Sequence, residues 1–189
     1  MIGDNFMWFP EAGANSIEGE TQDVFFATKK AFEVDKFQFK LENKEEQERK
    51  GKFQEFEIEK EVDSASMPLY RACSMGTPID TVMLALRKSG GNDLIYLQFI
   101  FRGVKITGIT WSGGQGTESA TEKMTFSFKA MGAQYYAQKV DGSFDPRNNR
   151  KEKVLGWSWT SATQDGKPGA PSMDIGLKST CPPFLPPHV

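Results

Sequence analysis

Few residues in this chain have the types and spacing that enzyme chemistry requires. Its 189 residues include one histidine, His188, one position from the end of the sequence. A Ser-His-Asp or Cys-His arrangement needs a histidine held beside the nucleophile, and a zinc site draws on several imidazoles or thiolates. The sequence therefore predicts no catalytic group, no bound metal and no cofactor, and it favours a protein that is not an enzyme.

The two cysteines, Cys73 and Cys181, are far apart in the sequence and form neither a disulfide framework nor a paired metal motif. We predict two reduced thiols. Cys73 lies on the apolar face of a predicted helix, where a small buried hydrophobe is favoured over a reactive nucleophile.

Three further patterns are weak signals for chemistry. The stretch SGGQG at residues 112–116 lacks the Lys-Ser/Thr of a phosphate-binding loop, so we interpret it as a strand connection. Adjacent carboxylates such as Glu45 and Glu46 lie in a charged segment without pocket walls, which favours a solvated surface. The stretch DKFQFK is similar to a nucleic-acid stacking platform, but the net charge of −2 argues against one.

The same charge balance, 23 basic against 25 acidic residues, indicates no general attraction to nucleic acid or to an anionic membrane. The opening MIGDNFMWFP has neither the basic region nor the apolar run of a cleaved signal peptide, and no apolar run has membrane-spanning length. We expect a chain that folds in the cytoplasm and does not insert into a membrane.

Period-two alternation of apolar and polar residues predicts a mainly β protein. Phe37 and Phe39 alternate with Gln38 and Lys40, and similar patterns recur at 56–59, 82–87, 94–101 and 124–129. Gly103 interrupts one long strand pattern, as does Gly108, which is typical of a bend or bulge. The strand count and the 15 phenylalanines favour a β-barrel of two packed antiparallel sheets, closed around an aromatic core.

One short helix is predicted beside the barrel. In DSASMPLYRACSMG, Ser66 can cap the helix, Pro68 fits its first turn, and Leu69, Ala72 and Cys73 recur at helical spacing. Gly76 supplies the stop.

Two segments are predicted to lie outside the core. Residues 41–52 hold four acidic and four basic side chains and should form a solvated loop. Residues 166–189 contain six of the ten prolines, so we predict a barrel domain at 1–165 followed by an extended tail that is mobile unless a partner or the barrel surface holds it.

The stretch RACSMGTPIDTVMLALRKSGG at residues 71–91 resembles the haemolysin-coregulated protein (Hcp) family, the inner-tube component of the bacterial type VI secretion system. In that family a helix ends in Ala-Cys-x-x-Gly, and the strand after it ends in Arg-Lys-x-Gly-Gly. The matching residues here are Ala72, Cys73, Gly76, Arg87, Lys88, Gly90 and Gly91. Flanking pieces follow in the family's order, from IEGETQD through IYLQFIF and SGGQGTESATEKMTFSF to GWSW.

The resemblance covers about residues 6–160, and the proline-rich tail and an insertion near 145–151 depart from it. It implies an Hcp-like barrel with a flanking helix, assembled as a hexameric ring. It also implies that rings stack into a hollow tube, exported with effector cargo, whose partners are the sheath and spike proteins of the system.

Each surface of such a subunit has candidate residues. The polar side chains Gln38 and Lys40 are candidates for lining the lumen. Leu69 and Tyr70 on the helix are candidates for the lateral contact within a ring. Charged loops suit reversible contact between stacked rings. The stacking candidates are Glu42, Lys44, Glu45, Glu46, Glu48, Arg49 and Lys50.

Other interpretations remain open from the sequence. The protein could be the tube protein of another contractile injection system or of a phage tail, which partner genes would discriminate. A monomeric ligand-binding barrel would need an interior cavity with convergent polar groups, whereas the phenylalanine content favours a filled core. An enzyme or toxin fused to a tube subunit is disfavoured because a 24-residue tail is too short to fold alone.

Overall fold

The computed structural model of the chain describes residues 4–10, 17–42, 52–88, 94–116, 119–136, 139, 154–157 and 185. Within these ranges the chain is mainly β, which confirms the predicted fold class. The elements in chain order are β1 (Asp4–Trp8), α1 (Val24–Ala27), β2 (Phe32–Glu33), β3 (Lys36–Gln38), β4 (Leu41–Glu42), β5 (Lys52–Phe53), β6 (Phe56–Glu61), α2 (Ser66–Met75), β7 (Ile79–Arg87), β8 (Ile95–Ser112), β9 (Thr121–Ser127), β10 (Ala130–Tyr135) and β11 (Val154–Trp157).

Nine of the described strands form one antiparallel sheet rather than the two predicted from the sequence. The order is β2-β1-β7-β8-β9-β6-β3, with β10 and β11 attached at β8, while β4 and β5 pair with each other. The end strands β2 and β3 belong to one stretch, residues 32–38. Val34 N donates to Asn5 O of β1 at 2.8 Å, and Asp35 N donates to Glu59 O of β6 at 2.9 Å. The predicted closed barrel is therefore an open one, whose two edges are joined by a single segment of chain.

Strand β8 is long enough to serve both halves of this sheet. Its first half pairs with β7 and β10, and its second half pairs with β9. The change of partner occurs at Gly103, whose φ of +59° is costly for residues with a Cβ. The pairing with β9 also shifts register between Ile106 and Gly108. Both glycine irregularities predicted from the sequence are present.

Aromatic rings pack in the interior of the barrel. The ring of Phe56 contacts those of Phe101 and Phe126, with centroids 4.7 and 4.9 Å apart. Phe37 and Phe39 pack against this interior cluster from β3 and from the residues just after it. The inward orientation of both phenylalanines agrees with the period-two pattern.

A second apolar cluster lies on the opposite side of the sheet. Strand β7 contributes alternate residues to both clusters, with Val82, Leu84 and Leu86 in the interior and Met83 and Ala85 outside. The outer cluster also contains Phe6, Trp8, Phe26, Ala31, Ile95 and Ile100. The sequence pattern predicted one helix, and α1 is an additional one that covers this outer cluster through Phe26.

Helix α2 begins and ends for different reasons. Its N-cap position is Ala65, so the prediction that Ser66 caps the helix is wrong. Asp63 instead shapes the turn that leads into the helix, because its carboxylate accepts from Ala65 N at 3.0 Å, while Ser66 Oγ accepts from Asp63 N. At the other end Gly76 adopts a left-handed φ of +61°, which confirms the predicted stop.

Among the residues that the structure describes, no helix has the length and apolar character needed to cross a bilayer.

Candidate assembly surfaces

Helix α2 is fixed to the barrel by a buried polar network. The ammonium group of Lys60 on β6 donates to Asp63 Oδ1 at 2.6 Å, to Ser66 Oγ at 3.1 Å and to the backbone oxygen of Glu61 at 2.7 Å. It also lies 5.0 Å from the ring centroid of Phe32. These charge-assisted hydrogen bonds reach Ser66 in the first turn of α2 and Asp63 in the turn before it, so the network joins the start of α2 to the end of β6.

Glu122 on β9 completes this network electrostatically. It is the register partner of Lys60, and its carboxylate lies 3.9 Å from the Lys60 ammonium. Both Glu122 oxygens are buried, and among the residues that the structure describes neither has a hydrogen-bond partner. A buried carboxylate without hydrogen bonds is costly, so the nearby ammonium is its main compensation.

The outer side of α2 presents aromatic and apolar side chains to solvent. Tyr70 is 51% exposed and Trp111 at the end of β8 is 43% exposed, and their ring centroids lie 5.2 Å apart. Met67 on the same helix is also exposed. We call Met67, Tyr70 and Trp111 the helix patch.

The two candidates for lateral contact differ in accessibility. Leu69 is fully buried in the chain itself, within the interior cluster. Its side chain therefore anchors the helix and offers no surface to a neighbouring subunit, which corrects that candidate. Helical spacing placed Leu69 on an apolar face but could not show that the barrel itself covers that face. Tyr70 remains exposed.

The outward side of β3, β6, β9 and the second half of β8 is polar, and we call it the polar face. Gln38 and Lys40 are both exposed, and Gln38 stands opposite Glu57 in the register of β3 and β6. The other members are Lys36, Glu57, Glu59, Lys123, Thr125, Thr107 and Thr110.

Charges on the polar face are paired across strands. Lys36 Nζ lies 3.2 Å from Glu59 Oε1, and Lys123 Nζ lies 2.8 Å from Glu57 Oε1. Near the edge of this face, burial raises the pKa of Asp35, and the carboxylates of Glu61, Glu59 and Glu33 add to that rise. The face is hydrophilic and close to neutral in charge, with its local acidic excess at Asp35.

The stacking candidates lie mostly outside the described residues. Glu42 belongs to β4, whose pairing with β5 matches Glu42 to Lys52 and brackets the charged segment. The other six, Lys44, Glu45, Glu46, Glu48, Arg49 and Lys50, lie outside the part of the chain that the structure describes. The β4–β5 pair shows that this segment connects two antiparallel strands.

The outward side of β1, β7 and the first half of β8 forms a second surface, the covered face, which α1 lies upon. Arg87 of β7 is buried there, and its guanidinium lies 2.6 Å from Asp23 and 3.1 Å from Asp4. It also lies over the ring of Phe6, 5.0 Å from the centroid. Burial alone would raise the pKa of Asp23, but hydrogen bonds from Phe26 N, Arg87 and Phe25 N outweigh it and lower that pKa below 3.8. Asp23 thus caps α1 as a carboxylate.

One residue of the proline-rich tail is held on the covered face. Gln98 of β8 is fully buried, and its side-chain Nε2 donates to Leu185 O at 2.7 Å while its Oε1 accepts from Leu185 N at 3.0 Å. The Tyr136 hydroxyl also donates to Leu185 O, at 2.6 Å. Burial raises the pKa of Tyr136, which keeps this hydroxyl a donor. The sequence pattern did not predict this site, and the only local sign of it was a glutamine among apolar strand residues.

The described residues contain no cluster of three or more potential metal ligands. Cys73 is half-buried on α2 and packs against the interior cluster.

A family model described as "Type VI secretion system effector, Hcp" matches residues 6–135. Protein hcp1 of Pseudomonas aeruginosa is 31% identical over 93 residues, which is 49% of this chain and 57% of that relative. The chain thus spans little more than half the length of the curated relative it matches.

Solved structures extend the likeness over more of the fold. A type six secretion system protein aligns with a TM-score of 0.70 and 21% identity, covering 83% of this chain and 94% of the other. Hcp1 from Salmonella typhimurium aligns with a TM-score of 0.60 and 25% identity over 77% of this chain and 92% of its own. A type VI secretion system effector from Yersinia pestis gives 0.61 and 27%, over 75% and 95%.

Proposed function

This chain belongs to the Hcp family of type VI secretion system proteins, and from that membership we propose that it is a subunit of the system's inner tube. Subunits would form hexameric rings that stack into a hollow tube, exported with effector proteins inside. Sheath and spike proteins would be its partners, and it would leave the cytoplasm without a cleaved signal peptide. Family membership favours this system over other contractile machines and phage tails.

The observation that carries the proposal is the polar face. Four neighbouring strands present a continuous hydrophilic surface with cross-strand ion pairs, as a channel wall in contact with water and varied cargo requires. We propose that this face lines the lumen, with Gln38 and Lys40 directed toward the axis. Its near-neutral charge would keep a cargo protein from binding tightly to the wall.

The helix patch is the proposed lateral contact within a ring. Exposed aromatic and methionine side chains are enriched at protein interfaces, and Tyr70 and Trp111 already pack together in the single chain. A ring requires a heterologous contact, so the patch would meet a different surface of the next subunit. The charged segment between β4 and β5 is the proposed contact between stacked rings.

Particle size and shape test the proposal directly. Light scattering followed by negative-stain imaging of the purified full chain should show annuli with a central hole. The Tyr70→Asp variant should remain folded but lose the annuli, whereas Val24→Asp, at a residue 90% exposed on α1, should keep them. A chain that stays monomeric at high concentration and low salt would contradict the proposal.

Two further variants separate the other surfaces. Replacing residues 44–50 by a short Gly-Ser turn should leave rings intact and reduce stacking into tubes. Gln38→Trp should leave rings intact and reduce retention of co-expressed cargo. Loss of rings in either variant would place that residue set at the lateral contact instead.

A further inference from the structure

Gln98 occupies an unusual position for a polar side chain. It lies in the middle of the sheet, paired with Ala85 of β7 and Gln134 of β10, and it is fully buried beside the apolar cluster of the covered face. A buried side-chain amide requires hydrogen-bond partners for both its N–H and its oxygen. One residue, Leu185, supplies both partners from a distance of 87 positions in the sequence.

The side-chain amide of Gln98 forms hydrogen bonds with the backbone of Leu185, not with its side chain. In an extended chain the N–H and C=O of one residue point to the same side, so that two residues of an antiparallel pair exchange both hydrogen bonds. The Gln98 amide bonds to Leu185 in that way, with distances of 2.7 and 3.0 Å, and therefore takes the place of a strand residue. Pro186 follows Leu185 in the sequence, and a following proline biases a residue toward the extended conformation.

Two other contacts complete the site. The Tyr136 hydroxyl gives Leu185 O a second donor at 2.6 Å. The Leu185 side chain packs against the outer apolar cluster, which includes Phe6, Trp8 and Phe26. Backbone hydrogen bonds together with a side-chain pocket are the means by which proteins recognise extended peptides.

We propose that the covered face carries a peptide-binding site built from Gln98, Tyr136 and the outer apolar cluster. Its ligand class is an extended peptide with a leucine followed by proline, and its resident ligand is the chain's own C-terminal segment. The tail is a tethered ligand, and a free peptide of the same sequence binds once the resident leucine is removed. The site does not depend on ring assembly, so it stands apart from the proposed function.

Peptide binding to the full chain tests the proposal. The probe is a fluorescein-labelled peptide of residues 179–189 with Cys181→Ser, titrated into the wild-type chain and into the full-length Leu185→Asp variant while anisotropy is recorded. The tethered segment competes at an effective concentration on the order of millimolar. We therefore expect the peptide to bind the variant at least about tenfold more tightly than the wild type.

Matched controls identify the site. In the Leu185→Asp background, Gln98→Leu should abolish peptide binding, whereas Gln115→Leu, at an exposed glutamine after β8, should leave it unchanged. A peptide that itself carries Leu185→Asp should not bind. Circular dichroism of each variant establishes that it is folded.

Equal binding to wild type and Leu185→Asp, binding that survives Gln98→Leu, or no binding to folded Leu185→Asp at millimolar peptide would each overturn the proposal. A second measurement needs no substitution. The Leu185 amide of the wild-type chain should exchange with solvent at least tenfold more slowly than in the free peptide. Exchange at the free-peptide rate would also overturn it.

Discussion

The covered face and the polar face lie on the same side of one sheet, and strand β8 contributes to both. In its first half β8 places Gln98 and Ile100 beneath α1 and the tail residue Leu185. In its second half it places Lys105 and Thr107 in solvent. The inward side is apolar throughout most of both halves, so the contrast is confined to the outward side.

The covered face contributes to the stability of the fold, whereas the polar face stays exposed to solvent. Apolar area removed from water stabilises the fold by about 25 cal/mol per Å², and the covered face adds a second buried layer to the interior cluster. Exposed ion pairs on the polar face add little to stability. The cargo contact proposed for the polar face would therefore not compete with the stability of the fold, whereas the covered face has a structural role.

Removing an aromatic ring from the covered face should have the largest effect. Phe26 is fully buried and stacks on Phe6 with centroids 4.0 Å apart. Phe26→Ala should lower the free energy of unfolding by about 4 kcal/mol, from lost transfer energy and the cavity left behind. Urea denaturation of the wild type and the variant measures this loss. Val24→Ala on the same helix should lower the free energy of unfolding by less than about 0.5 kcal/mol, because Val24 is exposed. If Phe26→Ala also lost no more than that, packing of α1 on the covered face would contribute little to stability.

The next largest effect is expected for the buried charge pair of Lys60 and Glu122, which lies on the inward side of β6 and β9. Lys60→Met leaves Glu122 buried without its ammonium neighbour, so unfolding free energy should fall by about 3 kcal/mol. Adding Glu122→Gln should recover a large part of the loss, because the uncompensated charge is then gone. A double variant no more stable than Lys60→Met would assign the loss to the contacts with Asp63 and Ser66.

The local sequence pattern correctly predicted features that depend on the geometry of a single strand. Alternation placed Phe37 and Phe39 inward and Gln38 and Lys40 outward, and the structure agrees, because side-chain direction in a strand follows from backbone geometry alone. Gly76, Gly103 and Gly108 were located for the same reason, since each glycine marks a local backbone requirement.

What covers a surface was beyond the reach of that pattern. Met83 and Ala85 are apolar on the outward side of β7 because α1 packs there, and α1 is only four residues long. Leu185 reaches Gln98 across 87 positions, a contact that no window of sequence contains. The same limit explains Leu69, whose apolar environment is the barrel rather than another subunit. The sheath, spike and cargo partners depend on other chains and stay proposals.

A pH titration tests the contribution of the Asp23 carboxylate to the stability of the covered face, where we expect an effect of intermediate magnitude. The pKa of Asp23 is lowered in the folded chain, so its carboxylate adds stability that is present above pH 3.8 and is lost as pH falls through the lower folded value. Asp23→Asn keeps a good N-cap but weakens the contact with Arg87, which should cost about 1.5 kcal/mol at pH 7. The difference between wild type and variant should shrink in acid, and a constant difference from pH 7 to pH 2 would contradict the charge-based explanation.

The smallest effect is expected on the polar face, where Glu57→Gln removes one ion pair. Glu57 Oε1 lies 2.8 Å from Lys123 Nζ, but the two side chains are 33% and 52% exposed, so water and salt screen their attraction. Unfolding free energy should change by less than about 0.5 kcal/mol, and 0.5 M salt should reduce even that difference. A loss above 1 kcal/mol that persists in salt would mean that the pair is effectively buried, and the polar face could not then be a water-facing wall. If stability is unchanged, any effect of Glu57→Gln on ring stacking or cargo retention must arise between chains.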